Sequence, residues 1–181
     1  KWNMARFAET LIPLIDVDLN KAIEMLEEEV NEFSKIYINK SLEMMRNKLG
    51  IKGGVEEDSL LIKELLTWMQ NNKADYTNTF VSIMNETFDQ PVYQDQAFQE
   101  WYKKLRIRKP NRETMRKNNP LVIPRNYQVE DSLKLAHEGN FESVASLLSV
   151  LRNPYNNSNN IKQFQDPGPA SSIPYQTFCG T

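Results

Sequence analysis

Cysteine and histidine are nearly absent from this sequence: Cys179 and His137 are the only residues of their kinds among 181. A single cysteine excludes a disulfide framework within the chain and a cysteine-rich zinc site, and a single histidine excludes a histidine-rich metal site. No apolar run approaches the roughly 18 residues of a membrane span, and no signal peptide is visible, so we expect no membrane partner. The formal net charge of −2 gives no overall attraction to nucleic acid.

Familiar catalytic motifs are also missing. Gly50, Gly53 and Gly54 lack the spacing, and the following lysine, that a phosphate-binding loop needs. His137 is the only possible histidine base, but it lies near the C-terminal end of a predicted helix. A histidine there often has only a favourable electrostatic interaction with the helix dipole. The acidic run 27–29 could suggest a metal site. Because consecutive residues splay around a helix, a solvated face is the simpler interpretation.

Apolar residues at helical spacing predict an all-α fold. A first helix begins at Trp2, and Pro13 marks a kink or an early end. Candidate N-caps precede the next three helices: Asp18, then Asp58 or Ser59, then Asp75. Further helices are predicted over about 95–105, from Pro110 to Asn118, over 129–137 and over 141–151. From residue 153 the chain is rich in Asn, Gln, Ser and Pro, which predicts an irregular, partly disordered tail.

The segment 119–127 is extended, because residues that precede prolines avoid the helical region. It combines apolar, guanidinium, amide and phenol groups. Arg125 could pair bidentately with a carboxylate, and Asn126 could cap the helix that follows. We interpret this segment as a structural clasp.

Residues 103–117 form a basic segment with eight cations and one acidic residue, next to Trp101 and Tyr102. Basic groups beside aromatic rings can bind nucleic acid by phosphate pairing and stacking. The alternative, which we favour, is a basic face that is solvated or docks on an acidic part of a longer protein. Nucleic acid is therefore not expected as a partner. The basic residues are Lys103, Lys104, Arg106, Arg108, Lys109, Arg112, Arg116 and Lys117.

Several sequence blocks, in order along the whole chain, resemble the selenoprotein O family. No single block is specific for the family, but the combination of blocks at these separations is specific. The blocks are Trp2–Ala8, Ala74–Phe80, Asn119-Pro120, Pro124–Tyr127, Glu138–Phe141, Leu148–Tyr155 and Cys179-Gly180-Thr181.

The resemblance implies a protein-kinase-like fold and a protein adenylyltransferase, which transfers AMP from ATP to Ser, Thr or Tyr hydroxyls of proteins with Mg or Mn. The family's ATP and metal residues lie upstream and have no counterpart here, so we expect no cofactor in this chain and no activity from it alone. Its partners would be the missing N-terminal kinase-like portion and the protein substrates. We expect residues 1–110 to be the helical part of a kinase-like C-lobe, 111–152 a C-terminal helical extension, and 153–181 the irregular tail.

Cys179 falls on the position where the family has selenocysteine or cysteine near its C-terminus. The resemblance implies that this residue is a redox partner for a cysteine of the kinase-like core. The following Gly180-Thr181 departs from the more usual Ser-Ser. A bacterial, cytoplasmic source is expected. The rival hypothesis is a free-standing helical binding module that uses the 103–117 segment.

Overall fold

The structure is a computed structural model, and it describes residues 1–156 and 161–168. Within those residues it contains helices and no strand, which confirms the all-α prediction. None of the described helices is long and apolar enough to cross a membrane. The helices are α1 (Trp2–Ile15), α2 (Leu19–Lys48), α3 (Glu57–Asn71), α4 (Tyr76–Asn85), α5 (Gln96–Ile107), α6 (Arg112–Asn118), α7 (Asn126–His137), α8 (Glu142–Leu151) and α9 (Lys162–Gln165), with a 3-10 turn at Pro91–Gln94.

Helices α1 and α2 form an antiparallel hairpin at one end of the molecule. The Asp18 side chain accepts hydrogen bonds from the backbone N–H groups of Asn20 and Lys21, so the predicted cap of α2 is confirmed. α1 continues two residues beyond Pro13 before it ends. At its other end, Lys1 Nζ donates to Asn31 Oδ1 at 2.9 Å. The C-terminal part of α2 contacts the main body: it packs against α3 and α6, and Lys48 lies over the Tyr76 and Phe80 rings of α4.

The hydrophobic core lies between the end of α2 and helices α3 to α6. Aromatic rings fill its centre: the Trp68 and Phe98 ring centroids are 4.6 Å apart. The buried indole N–H groups are satisfied, since Trp68 Nε1 donates to Asp95 Oδ2 at 2.6 Å and Trp101 Nε1 donates to the Leu61 carbonyl at 2.8 Å. Satisfied polar atoms let these large side chains stay inside without a desolvation cost. The same core extends past α6 to Leu121, Val122 and Ile161.

The start of α3 differs from the sequence prediction. Neither Asp58 nor Ser59 is the N-cap, because the helix already begins at Glu57. The Asp58 carboxylate is instead buried between two guanidinium groups: Oδ2 lies 2.8 Å from Arg46 Nε, and Oδ1 lies 3.0 Å from Arg108 Nη2. This three-residue cluster ties α2, α3 and α5 together.

Helices α7 and α8 form a second hairpin, with the Ser132 and Ser143 hydroxyls 2.8 Å apart between them. The prediction that Asn126 caps α7 is wrong, because α7 begins at Asn126 itself, three residues before the predicted 129, and Arg125 occupies the N-cap position without a side-chain cap. After this hairpin, one turn of helix, α9, lies in the segment that the composition predicts as irregular.

Candidate functional site

Arg125 and Asp75 form the centre of a polar cluster on the body of the protein. Arg125 Nη1 donates to Asp75 Oδ2 at 2.6 Å, and Nη2 donates to Asp75 Oδ1 at 2.9 Å. The predicted bidentate pairing of Arg125 with a carboxylate is therefore confirmed. Asp75 also caps α4, where its Oδ1 accepts from the Asn78 backbone N–H at 2.8 Å. One carboxylate thus serves both a helix end and a guanidinium 50 residues away.

The pKa of Asp75 is lowered from its ordinary value. Burial on its own would raise it, because a desolvated carboxylate favours the protonated form. The hydrogen bonds from Arg125 and from the Asn78 backbone, together with the positive charge of Arg125, outweigh that effect. Asp75 is therefore held as the anion that the guanidinium requires.

Around this pair, the cluster holds the segment 161–168 against the body. Asn78 Nδ2 donates to the Gln165 carbonyl at 2.8 Å, and Arg125 Nη2 lies 3.4 Å from the same oxygen. In return, Gln165 Nε2 donates to the Leu121 carbonyl at 3.0 Å. These bonds connect positions that are 40 to 87 residues apart along the chain.

The first turn of α7 contributes the other half of the cluster. Tyr127 Oη donates to the Asp166 carbonyl at 3.1 Å. Gln128 Nε2 donates both to the Gln163 carbonyl, at 2.7 Å, and to Tyr127 Oη, at 2.9 Å. We call the set Asp75, Asn78, Arg125, Tyr127 and Gln128 the clasp, since each member binds the segment 161–168 directly or orients a side chain that does.

Gly168 closes the clasp at the far end of that segment. Its φ of +83° lies in the region that glycine tolerates best. A Cβ at this position would lie 2.6 Å from two carbons of the Tyr127 ring. The Gly168 backbone N–H also donates to Asp166 Oδ1 at 2.9 Å. Only glycine therefore lets the backbone lie flat against the phenol ring.

The chemistry of the clasp is that of an anchor. It contains one guanidinium and one carboxylate, which neutralise each other, and its amide N–H and phenol O–H donors bind backbone carbonyls. Apolar side chains of the same segment complete the attachment, because Ile161 is buried and Phe164 packs against the core.

Sequence reasoning missed Asn78 and Gln128 in the clasp, and Gln165 and Gly168 in the segment that the clasp binds. Asn78 stands three residues after the cap Asp75, which gives no sign of a partner 87 residues away. Gly168 carried a signal, because Asp166-Pro167-Gly168 is a turn sequence. We expected that turn to be mobile and solvated, and the structure shows it docked on Tyr127.

The basic segment 103–117 is partly used within the protein. Three of its cations form ion pairs: Lys104 with Glu64 at 2.9 Å, Arg108 with Asp58 at 3.0 Å and Lys117 with Glu113 at 2.8 Å. The other five are exposed and have no ion pair among the described residues: Lys103, Arg106, Lys109, Arg112 and Arg116.

The aromatic residues beside the basic segment serve the fold. Trp101 is buried, and Tyr102 Oη lies 3.2 Å from Glu86 Oε1. Burial, followed by the charge of Glu86 and its hydrogen bond, raises the pKa of Tyr102. Trp101 therefore presents no open face for stacking on a base, and the half-buried Tyr102 ring has one face stacked on Phe98.

The other candidate residues are not brought together. His137 is exposed at the end of α7, and Glu27, Glu28 and Glu29 are exposed on α2. Among residues 1–156 and 161–168, no group of three or more His, Cys, Asp or Glu side chains could hold a metal ion. Cys179 lies outside the described residues.

Comparison with known proteins shows which family the chain belongs to. The sequence model of the family described as Protein adenylyltransferase SelO matches residues 1–152. The chain belongs to the SelO family. Relatives named Protein nucleotidyltransferase YdiU include that of Pelagibacter ubique (43% identical over 100% of this chain), that of Clostridium perfringens strain SM101 (41% over 99%) and that of Nitrosococcus oceani (41% over 100%). The chain spans 39% of the length of each of these relatives.

Membership of the SelO family confirms the resemblance seen in the sequence blocks. The family match ends at Arg152, whereas the clasp also uses residues 161–168. The alignments with YdiU relatives continue over 99–100% of the chain, so they include that segment as well.

Proposed function

We propose that this chain is the C-terminal part of a protein adenylyltransferase, which transfers AMP from ATP to Ser, Thr or Tyr hydroxyls of other proteins. The observation that carries the proposal is the SelO family match over residues 1–152. The chain would supply the helical part of a kinase-like C-lobe, a C-terminal helical extension and a tail. Its proposed setting is the bacterial cytoplasm, and the relatives compared above are bacterial.

In this proposal ATP and its Mg or Mn are bound by the rest of the protein, the N-terminal kinase-like portion. The polar groups of the clasp do not fit a nucleotide–metal complex, because its one carboxylate is already paired with Arg125. We therefore derive no step of nucleotide chemistry from the described residues. Their role is to complete the fold that holds the active site.

The decisive experiment is AMP transfer from labelled ATP, assayed with the full-length protein and with residues 1–181 alone. We expect transfer to protein hydroxyls from the full-length protein. The chain alone should transfer none and should bind ATP with magnesium no more tightly than about millimolar in calorimetry. Micromolar binding by residues 1–181 would mean that the active site has been assigned to the wrong part.

We further propose that Cys179 forms a disulfide with a cysteine of the kinase-like portion. The two thiols would give up two electrons and two protons to a low-molecular-weight disulfide, which is reduced to two thiols. The clasp supports this role because it fixes Gly168, and Cys179 lies eleven positions after Gly168 along the chain. A fully extended chain of that length reaches about 36–40 Å, enough to cross a domain.

Peptide mapping of the full-length protein under non-reducing conditions tests the role of Cys179. We expect a peptide containing Cys179 to be joined to one from the kinase-like portion, and the link to disappear with reductant. The variant Cys179→Ala should abolish the redox response of AMP transfer. A response that persists in this variant would contradict the regulatory role and leave the proposed transferase activity standing.

The basic segment 103–117 is proposed to face an acidic surface of the same full-length protein. Five exposed cations without ion pairs among the described residues support this, as does the burial of Trp101, which keeps that ring from stacking on a base. The rival proposal is a free-standing binding module that uses this segment. It predicts that residues 1–181 bind an acidic partner without the remaining sequence.

A further inference from the structure

Helix α1 has two apolar stripes, and only one of them is used in the described structure. The first stripe faces the groove against α2, where its residues meet Ile23, Leu26 and Val30. Its members, spaced three and four residues apart, are the half-buried Ala5, Ala8 and Ile12, which line this groove. This spacing is the ordinary geometry of one helix seated on another.

The second stripe lies on a neighbouring face of α1. Its members recur at intervals of three, four and three residues, which places them in one line along the helix. Met4 is 40% exposed, Phe7 58% and Leu14 79%. No residue of α1 is fully buried. The members of the second stripe are Met4, Phe7, Leu11 and Leu14, of which Leu11 is half-buried and the other three are exposed.

The apolar seam of α2 also continues beyond the part that α1 covers. The two helices contain 14 and 30 residues, so α1 extends about 21 Å and α2 about 45 Å. The Lys1–Asn31 hydrogen bond marks where α1 meets the middle of α2. Past that point Tyr37 and Met44 remain exposed on the seam.

A helix that is apolar on two faces is normally covered on both. A continuous apolar surface of this kind, on a protein without membrane-spanning helices among its described residues, marks a protein interface. The relatives carry both helices within chains of which this sequence spans only 39%. The additional sequence is long enough to cover the hairpin.

From these observations we propose that the second stripe of α1, with the open seam of α2, is the docking surface for the rest of the same polypeptide. The occupant is an apolar face of the N-terminal kinase-like portion, packed across Met4, Phe7 and Leu14. This inference rests on the proposed function in one respect only, namely that the chain is part of a longer protein. It assigns the contact to the hairpin, whereas the clasp serves the opposite, C-terminal end of the sequence.

Methionine oxidation in the full-length protein tests the proposal without any substitution. The full-length protein is treated with hydrogen peroxide, and the rate at Met4 is compared with its rate in the urea-unfolded protein. If the stripe is open, the rate should be of the order of its exposed fraction, 40% of the unfolded rate. If the stripe is docked, we expect roughly a tenth or less, because the core of an interface is almost fully buried. A rate near 40% overturns the proposal.

A pair of substitutions gives a second test. Phe7→Asp and Leu14→Asp place a charge on the stripe, and Val17→Asp is the matched control because Val17 is fully exposed in the turn after α1. In the full-length protein we expect the stripe variants to melt about 5 °C or more below the wild type. The control Val17→Asp should have the melting temperature of the wild type. Equal melting temperatures for all three variants overturn the proposal.

A second copy of the chain is the competing occupant. Measuring the oxidation rate of Met4 over a hundredfold dilution distinguishes a second copy from the N-terminal portion of the same polypeptide. Protection within one polypeptide does not depend on concentration. Protection that is lost on dilution overturns the proposal. These readouts do not involve AMP transfer: an inactive protein with Met4 protected would refute the proposed activity alone, and an active protein with Met4 open would refute the docking surface alone.

Discussion

Replacing Arg125 by leucine removes the centre of the clasp while keeping the length of the aliphatic side chain. The perturbation is large because the Arg125 side chain is only 11% exposed and its partner Asp75 only 23%. Removing one partner of a buried ion pair costs about 3–5 kcal/mol. The remaining exposure of Asp75, and its continuing bond to the α4 N-terminus, reduce this to about 2–3 kcal/mol.

Urea unfolding of the chain measures this free energy. For a domain of this size, a loss of 2–3 kcal/mol corresponds to a decrease in Tm of about 4–12 °C. The matched control is Lys117→Leu, which breaks the exposed Lys117–Glu113 pair, whose side chains are 71% and 76% exposed. We expect that control to cost no more than about 0.5 kcal/mol.

A double-mutant cycle separates the ion pair from the helix cap. Asp75→Asn removes the charge but keeps a good N-cap residue, so the coupling between Asp75→Asn and Arg125→Leu reports the ion pair itself. We expect a coupling of about 1–2 kcal/mol. Coupling near zero, or an Arg125→Leu variant as stable as the Lys117→Leu control, would refute the view that the clasp is a stabilising anchor.

The pH dependence of the free energy of unfolding tests the same Arg125–Asp75 interaction. Asp75 has a lower pKa in the folded protein than in the unfolded chain, so its contribution to stability is fully present above the unfolded value, about 3.9. It is lost as the pH falls from there through the folded pKa. Arg125→Leu should therefore reduce the loss of stability on acidification below about pH 4.

Two further predictions concern single side chains that the structure places under tight constraint. Gly168→Ala should strain the backbone and push against the Tyr127 ring, which lowers the free energy of unfolding by about 1–3 kcal/mol. Residues 161–168 should then exchange their amide hydrogens faster, while the core of α3 to α5 keeps its protection. Asp58→Asn should destabilise the protein by about 3–5 kcal/mol in urea unfolding, because it leaves Arg46 and Arg108 without their shared counter-ion; a loss below about 1 kcal/mol would contradict the assigned role of this carboxylate.

Local patterns predicted the features that depend on neighbouring residues. The helices and the caps Asp18 and Asp75 follow from spacing and side-chain chemistry within a few residues. Arg125 was predictable as a carboxylate partner because a guanidinium in an apolar extended segment needs an anion. The identity of that anion, 50 residues away, was not.

Long-range placement explains where the predictions were wrong. Asp58 has the sequence context of a cap, but its position inside the fold brings it between Arg46 and Arg108, and the backbone N–H that it accepts is that of Val55, before the helix. The tail composition suggested an irregular segment because it is rich in polar amides. Within the described segment 161–168, the apolar residues Ile161 and Phe164 pack on the core while the clasp binds the backbone carbonyl groups of the segment.

The double use of Asp75 has a consequence for biosynthesis. Arg125 follows it by 50 residues, and Gln165 follows Asn78 by 87. At a synthesis rate of roughly 5–20 residues per second, α4 leaves the ribosome about 3–10 s before its arginine does. During that interval Asp75 serves only as a helix cap, and the nascent α3 to α5 core must form without the clasp. Docking of the segment 161–168 is then a late event, and a slowly translated or truncated chain would lack both Ile161 in its core and the bonds of the clasp to this segment.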